Sequence, residues 1–118
     1  MSEAEITRGD LYWVDWRPAR GSEQAGRRPA LVVQADAGNR SPKYLNTIVV
    51  AVSTASARVP THVEIQPTDT NGLRSVFSVK CEQLFTIAKA RLQAYIGTVD
   101  ARDLSRVDAA LRRVLALS

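Results

Sequence analysis

A chain of 118 residues has room for one domain, and its 45% hydrophobic content is enough for one packed core rather than a disordered segment. Sixteen Lys+Arg against twelve Asp+Glu give a net charge of +4, which suits an anionic partner such as nucleic acid without requiring one. One Cys excludes an intrachain disulfide, and one His with one Cys excludes a Cys/His zinc cluster or a two-His acid–base pair within one chain.

Any chemistry therefore falls to Arg, Asp/Glu, Ser/Thr, Lys, Tyr or backbone groups. No segment approaches the roughly 20 apolar residues of a membrane span. The N-terminus has no basic region followed by an apolar run. No membrane partner and a cytoplasmic location are expected. Residues 1–118 read as a single domain, with a polar arm at 1–7 and a helix at 100–117.

In chain order, Arg8-Gly9-Asp10 is turn chemistry ahead of a first strand, Leu11–Trp16, dense in aromatic and β-branched residues. Leu11, Trp13 and Asp15 share one face; Tyr12, Val14 and Trp16 share the other. Thirteen residues from Arg17 to Pro29 follow, with two Gly, two Pro, four Arg and one Glu. So long and polar a connection in a small domain points to function or mobility. Ala30–Gln34 reads as a second, central strand, residues 36–46 as a loop, and Thr47–Val52 as a third strand ending in Ser53-Thr54. Thr61–Ile65 alternates as a half-exposed strand, with Thr61, Val63 and Ile65 inward. Val76–Leu84 reads as strand, Thr86–Ala90 as one helical turn, and Arg91–Val99 as the last strand. Asp100 is placed to cap a terminal helix, with Asp103 in its first turn. Leu104, Val107, Leu111 and Val114 form one apolar stripe on that helix. Strands not separated by helices argue against a parallel α/β sheet. The expected architecture is mainly β, a partly open SH3-like barrel with a packed C-terminal helix.

The 17–29 segment is the first candidate site. Glu23 lies close in sequence to Arg20, Arg27 and Arg28, and guanidinium groups pair well with phosphate oxygens. The same composition also describes a solvated loop whose charges neutralise one another. Arg28 differs from its neighbours, because Pro29 and an apolar strand follow it and anchor its backbone. If the second and third strands pair, Ser53 or Thr54 comes near the Arg28 end; hydroxyls at a strand end otherwise serve the turn backbone. His62 is on the polar side of its strand, with nothing local in sequence to orient it. Cys81 has no local base and reads as a packed thiol. Of Trp13 and Trp16 at least one is core, and either could stack on a base. Of Glu82 and Gln83, one is expected to line a groove.

Arg8-Gly9-Asp10-Leu11-Tyr12-Trp13-Val14-Asp15, then Gly21-Ser22-Glu23-Gln24-Ala25-Gly26-Arg27-Arg28-Pro29-Ala30-Leu31-Val32-Val33, resembles the MazF/PemK/Kid toxins of toxin–antitoxin modules. Val50–Thr54, Pro60–Ile65, Val79–Ile87 and Lys89–Gly97 extend the likeness over nearly the whole chain. The resemblance implies an SH3-like barrel of the MazF/CcdB type and a homodimer. It also implies a metal-independent endoribonuclease with no cofactor. Such an enzyme cuts single-stranded RNA, including mRNA, to a 2′,3′-cyclic phosphate (or 3′-phosphate) and a 5′-hydroxyl. A cognate MazE-like antitoxin is the implied protein partner. Carried over by position, Arg28 matches the catalytic arginine and Glu23 the motif glutamate. Ser53 falls at or beside an active-site threonine, and Ser-Thr in place of the usual pair leaves Ser53 and Thr54 as alternative hydroxyl donors. Ser22, Gln24, Arg20 and Arg27 fall in the substrate-facing loop, and Gln83 resembles a position that contacts RNA.

The chemistry suits the composition, since RNA supplies its own 2′-hydroxyl nucleophile. Arg28 is better suited to stabilising charge than to acting as base, because a guanidinium keeps its proton and has no acceptor to offer. Glu23 is the better base on pKa grounds if it reaches the 2′-hydroxyl; the alternative is that it only holds Arg27, Arg28 or a loop amide. Two other readings of the same fold are a non-catalytic toxin that binds a protein such as gyrase, and an RNA-binding barrel without activity. The Gly-Ser-Glu-Gln-x-Gly-x-Arg-Pro segment favours the ribonuclease.

Overall fold

The computed structural model describes residues 5–16, 26–54 and 58–118. Among them, β1 (Asp10–Asp15), β2 (Arg27–Val32), β3 (Asn46–Ser53), β4 (His62–Ile65), β5 (Phe77–Ala88) and β6 (Leu92–Thr98) form one antiparallel sheet in the order β4-β5-β3-β2-β1-β6. The strands arise where β-branched and aromatic residues concentrate, and the apolar runs Ala30–Val32 and Val49–Val52 take the interior positions of the sheet. A short helix α1 (Asp36–Arg40) and a 3₁₀ turn (Lys89–Arg91) interrupt the strands, and α2 (Ala101–Leu115) ends the fold.

Both faces of the sheet are apolar. On one, Leu11, Leu31, Val50, Val52, Val63, Ile65 and Val79 pack against Val107, Ala110 and Leu111 of α2. On the other, Tyr12, Val14, Trp16, Ala30, Val32, Val49, Ala51 and Ile87 form a second cluster with Phe85 and Leu92. Among the described residues no helix covers this second face; the sheet curls over it. The rings of Trp16 and Phe85 are 4.8 Å apart although β2 and β3 lie between their strands. The edges β4 and β6 do not pair, but the segment after β4 reaches across to β6. Thr98 N–H donates to Thr70 C=O at 3.0 Å, and a Cβ on Gly97 would fall 2.3 Å from the Asn71 backbone, so only glycine fits there. The result is the expected partly open barrel.

Helix α2 starts as its sequence predicts: the Asp100 carboxylate accepts from Asp103 N–H at 2.8 Å. Its stripe is also as expected, with Val107 and Leu111 buried and Leu104 and Val114 partly buried against the same cluster. Three local expectations are corrected. β2 begins at Arg27, inside what the sequence reads as loop, because Asp15 and Val14 of β1 pair with Arg27 and Arg28. Pro29 is tolerated there because the ladder from β2 to β3 begins only at Ala30. The helical turn expected at 86–90 is strand as far as Ala88, paired to Asn46. Within the 36–46 loop, α1 is held from outside: Lys89 Nζ donates to the carbonyls of Gly38 and Ser41 at 2.9 and 3.0 Å.

Candidate functional site

The pairing of β2 with β3 determines what lies beside Arg28. Ala30 pairs with Ala51, Leu31 with Val50 and Val32 with Val49. Continued by two residues, this register sets Arg28 across from Ser53. Ser53 in turn pairs with Ser78 of β5, which pairs with Glu64 of β4. One step along, Ala30, Ala51, Lys80 and His62 form the neighbouring row. Side chains alternate along a strand, and Ala30 and Ala51 belong to the curled face. Arg28, Ser53, Ser78, Lys80 and His62 therefore share that face, at the end where apolar packing stops.

Arg28 is exposed, while Ser53 is 6% exposed as the last residue of β3. Thr54 follows the strand and is exposed. Of the two hydroxyls left open by the sequence, only Ser53 holds a strand position on the Arg28 face. Arg27 alternates to the opposite side, where its guanidinium lies 4.5 Å above the Trp13 ring and Nε donates to Gln93 Oε1 at 2.9 Å. Trp13 is thus half-buried beneath an arginine, and Trp16 is the core tryptophan. Arg20, Ser22, Glu23 and Gln24 lie outside the described residues.

Strand β5 departs from regular pairing at this site. Val50 pairs with Leu84 but the next residue, Ala51, pairs with Lys80, so Cys81, Glu82 and Gln83 form a bulge. Cys81 and Leu84 both pack into the helix-covered cluster. Glu82 and Gln83 between them are both left off that face, where simple alternation expects only one. Glu82 Oε1 accepts from Thr61 Oγ1 at 2.9 Å and its Oε2 lies 2.7 Å from His62 Nε2. His62 is thus oriented by a carboxylate from another strand, which its sequence neighbourhood gave no sign of; a polar pair facing a bulge opposite an alternating strand was the available signal. Burial pushes the Glu82 carboxyl up, but hydrogen bonds from His62, its own backbone N–H and Thr61 outweigh that and hold it below the ordinary carboxylate value. Burial, with Glu82 and Asp108 nearby, pushes the Cys81 thiol up to about 12, so it stays neutral and unreactive at neutral pH.

Among the described residues, no group of three or more His, Cys, Asp and Glu is placed to hold a metal ion, and no helix is long and apolar enough to cross a membrane. The site offers an arginine at a strand edge, a hydroxyl opposite it, and a carboxylate-held imidazole on the same face. Such a set can bind an anion and hydrogen-bond to what surrounds it.

The frame is that of a small toxin barrel. A family model described as PemK-like, MazF-like toxin of type II toxin-antitoxin system matches residues 7–115, and the chain belongs to that family. Endoribonuclease EndoA of Bacillus subtilis (strain 168) is 43% identical over 115 residues, covering 95% of this chain and 96% of that protein. Among solved structures, an endoribonuclease in complex with its cognate antitoxin, from a mycobacterial species, matches with a TM-score of 0.80 at 26% identity, covering 96% of this chain and 97% of the other. MazF from Deinococcus radiodurans matches with a TM-score of 0.79 at 25% identity, covering 98% of this chain and 100% of the other.

Proposed function

We propose that this member of the toxin family is a sequence-specific, metal-independent endoribonuclease that cuts single-stranded RNA, mRNA included, with Arg28 and Ser53 at the scissile phosphate. The single observation that carries the reading is the β2–β3 register, Ala30 with Ala51, which continued by two residues would set Arg28 opposite Ser53. The 43% identity to an endoribonuclease over almost the whole chain supports it.

The reaction follows from what RNA supplies. The 2′-oxygen attacks the adjacent phosphorus, a pentacoordinate phosphorane forms, and the P–O5′ bond breaks. The 2′-hydroxyl proton goes to a base and the departing 5′-oxygen takes up a proton, leaving a 2′,3′-cyclic phosphate (or, after hydrolysis, a 3′-phosphate) and a 5′-hydroxyl. Arg28 stays protonated and offers its fork of N–H donors to the phosphorane oxygens. Ser53 donates a further hydrogen bond, in preference to Thr54, because it holds the strand position on the arginine's face. Glu23 is the base on pKa grounds, and Arg20, Ser22, Gln24 and Gln83 contact the flanking RNA, while Arg27 is engaged by Trp13 and Gln93 on the opposite side. Two chains form a homodimer that doubles the positive charge along a shared groove, and a MazE-like antitoxin covers that groove. The protein acts in the cytoplasm.

The test is cleavage of a long transcript in EDTA. Wild type is expected to cut at a short set of sites. Arg28→Ala lowers the rate about 100-fold or more, the usual cost of losing one transition-state donor. Arg28→Lys loses the bidentate geometry and falls in between. Cleavage by Arg28→Ala at the wild-type rate overturns the assignment. Absence of wild-type cleavage on several unrelated RNAs returns the chain to a protein-binding toxin. Near-normal cleavage by Glu23→Gln removes the base role from Glu23.

A further inference from the structure

The bulge in β5 builds a second polar feature that the transesterification does not use. Measured along the sheet, β4 is two strand spacings from Ser53 and three from Arg28, about 10 and 14 Å. Glu82 is on β5, next to β3, but lies four residues along the strand from Ser78, the partner of Ser53, about 13 Å away. Proton transfer needs heavy atoms within about 3 Å, so both His62 and Glu82 are too far to serve a phosphate held between Arg28 and Ser53. They are on the same face, however, with Lys80 beside His62 in the same cross-strand row. An RNA strand crossing the sheet from β2 toward β4 meets them at a flanking nucleotide.

Their chemistry indicates what that nucleotide is. The Glu82 side chain is 39% exposed and spends one bond on Thr61 and one on His62. A carboxylate has about four lone-pair sites, so acceptor capacity remains toward solvent. The His62 side chain, 11% exposed, and Thr61 hold the carboxylate in one orientation. Four buried side-chain polar atoms lack a partner among the described residues, Trp16 Nε1, His62 Nδ1, Ser78 Oγ and Gln83 Oε1, and all four lie on this face. Buried polar atoms are ordinarily satisfied, and this local excess is what a site awaiting a polar ligand shows.

Resting on the endoribonuclease reading above, we propose that Glu82, held by His62 and Thr61 and flanked by Lys80, is a base-reading subsite for one nucleotide beside the scissile phosphate, selecting a base with an exocyclic amino group. An acceptor-only carboxylate pairs with the N–H groups of adenine, cytosine or guanine. Uracil sets a single N–H between two carbonyl oxygens that the carboxylate repels. Lys80 contacts a neighbouring phosphate and contributes affinity without choosing a base.

The test is cleavage of an RNA pool randomised around one preferred site, read by sequencing the products. Wild type is expected to reject uracil at one flanking position. Glu82→Gln, whose amide also donates, admits uracil there with discrimination falling about 10-fold, while preferences at other positions stay. Lys80→Gln lowers affinity for all sequences alike and reduces the slope of log K against log salt by about 1. If Glu82→Gln melts below the assay temperature, Glu82→Asp carries the test, keeping the charge but withdrawing it by one methylene, with a smaller loss of discrimination. A folded Glu82 variant whose base preferences match wild type at every position overturns the subsite alone. A wild type that leaves the pool uncut overturns the endoribonuclease reading and the subsite with it.

Discussion

Buried polar groups behave differently in two parts of this barrel. Near α1, Asn39 Oδ1 accepts from Gln34 Nε2 at 3.0 Å and from Thr47 Oγ1 at 2.7 Å, and Asn39 Nδ2 donates to Gln34 C=O at 2.9 Å. After β4, Asn71 Oδ1 accepts from Thr68 N–H and Leu73 N–H while Nδ2 donates to Gln66 C=O. Both side-chain heteroatoms of each asparagine have a partner, and both asparagines tie loops to the sheet framework. On the curled face, Trp16 Nε1, His62 Nδ1, Ser78 Oγ and Gln83 Oε1 are left without partners among the described residues. The first arrangement fixes a scaffold. The second leaves hydrogen-bonding capacity that the described residues do not take up, and the contrast separates residues that hold the fold from residues expected to act.

The largest expected effect tests the scaffold side. Leu31 is fully buried in the cluster under α2, so Leu31→Ala should cost about 2–5 kcal/mol in denaturant unfolding. RNA cleavage per folded molecule should stay near wild type below the melting transition. A Leu31 variant that keeps its stability but loses activity breaks the division between the two regions. Next comes Asn71→Ala, which strands two N–H groups and a carbonyl in a turn held against Gly97. A cost of about 1–3 kcal/mol is expected, read as a fall in Tm with cleavage at permissive temperature retained.

These two regions were not equally legible in the sequence. The strands and α2 were readable because burial on a sheet or helix writes a period into the chain, as in Val49–Val52 and in Leu104, Val107, Leu111 and Val114. The first two residues of β2 were not, because Arg27-Arg28-Pro29 has loop composition and is strand only through its pairing to β1. The bulge at 81–83 was not either, since a bulge is a mismatch between two strands and neither strand records it alone. The pairing of His62 with Glu82 depends on that bulge and was equally hidden. Arg28 and Ser53 could be named from a motif; that they face one another depends on a register the sequence leaves open.

Acid should act on both regions. The Arg8 backbone N–H donating to Asp36 Oδ1 at 2.7 Å lowers the Asp36 carboxyl below its ordinary value, aided by Asn39, Arg40 and the Arg8 charge. A carboxyl whose folded pKa lies below its unfolded one contributes stability that is complete above the unfolded value, about 3.9, and is lost as pH falls through the folded value. Glu82, also depressed, adds to the same window. Tm should therefore hold from neutral pH to about 5 on these groups' account and decline below about 4. Asp36→Asn should be less stable at pH 7 and show a shallower acid decline; an acid slope identical to wild type would remove Asp36 from the account.

The smallest effect is the sharpest, because its sign differs between the two regions. Ser78 is 1% exposed and its hydroxyl has no partner among the described residues, unlike the Thr47 hydroxyl, which is also buried but bonded to Asn39. Removing a satisfied hydroxyl leaves its partner stranded and costs about 1 kcal/mol or more, whereas removing an unsatisfied one relieves a desolvation penalty. Thr47→Ser keeps its bond and loses a methyl, so Thr47→Val is the cleaner comparison, and it should destabilise. Ser78→Ala should be neutral or stabilising by up to about 1 kcal/mol. If the hydroxyl is reserved for RNA, the same Ser78→Ala protein should bind a non-cleavable 2′-deoxy-substituted RNA more weakly while melting no lower than wild type. Lower stability with unchanged binding would instead make Ser78 part of the scaffold, and the line between the regions would move one row toward β3.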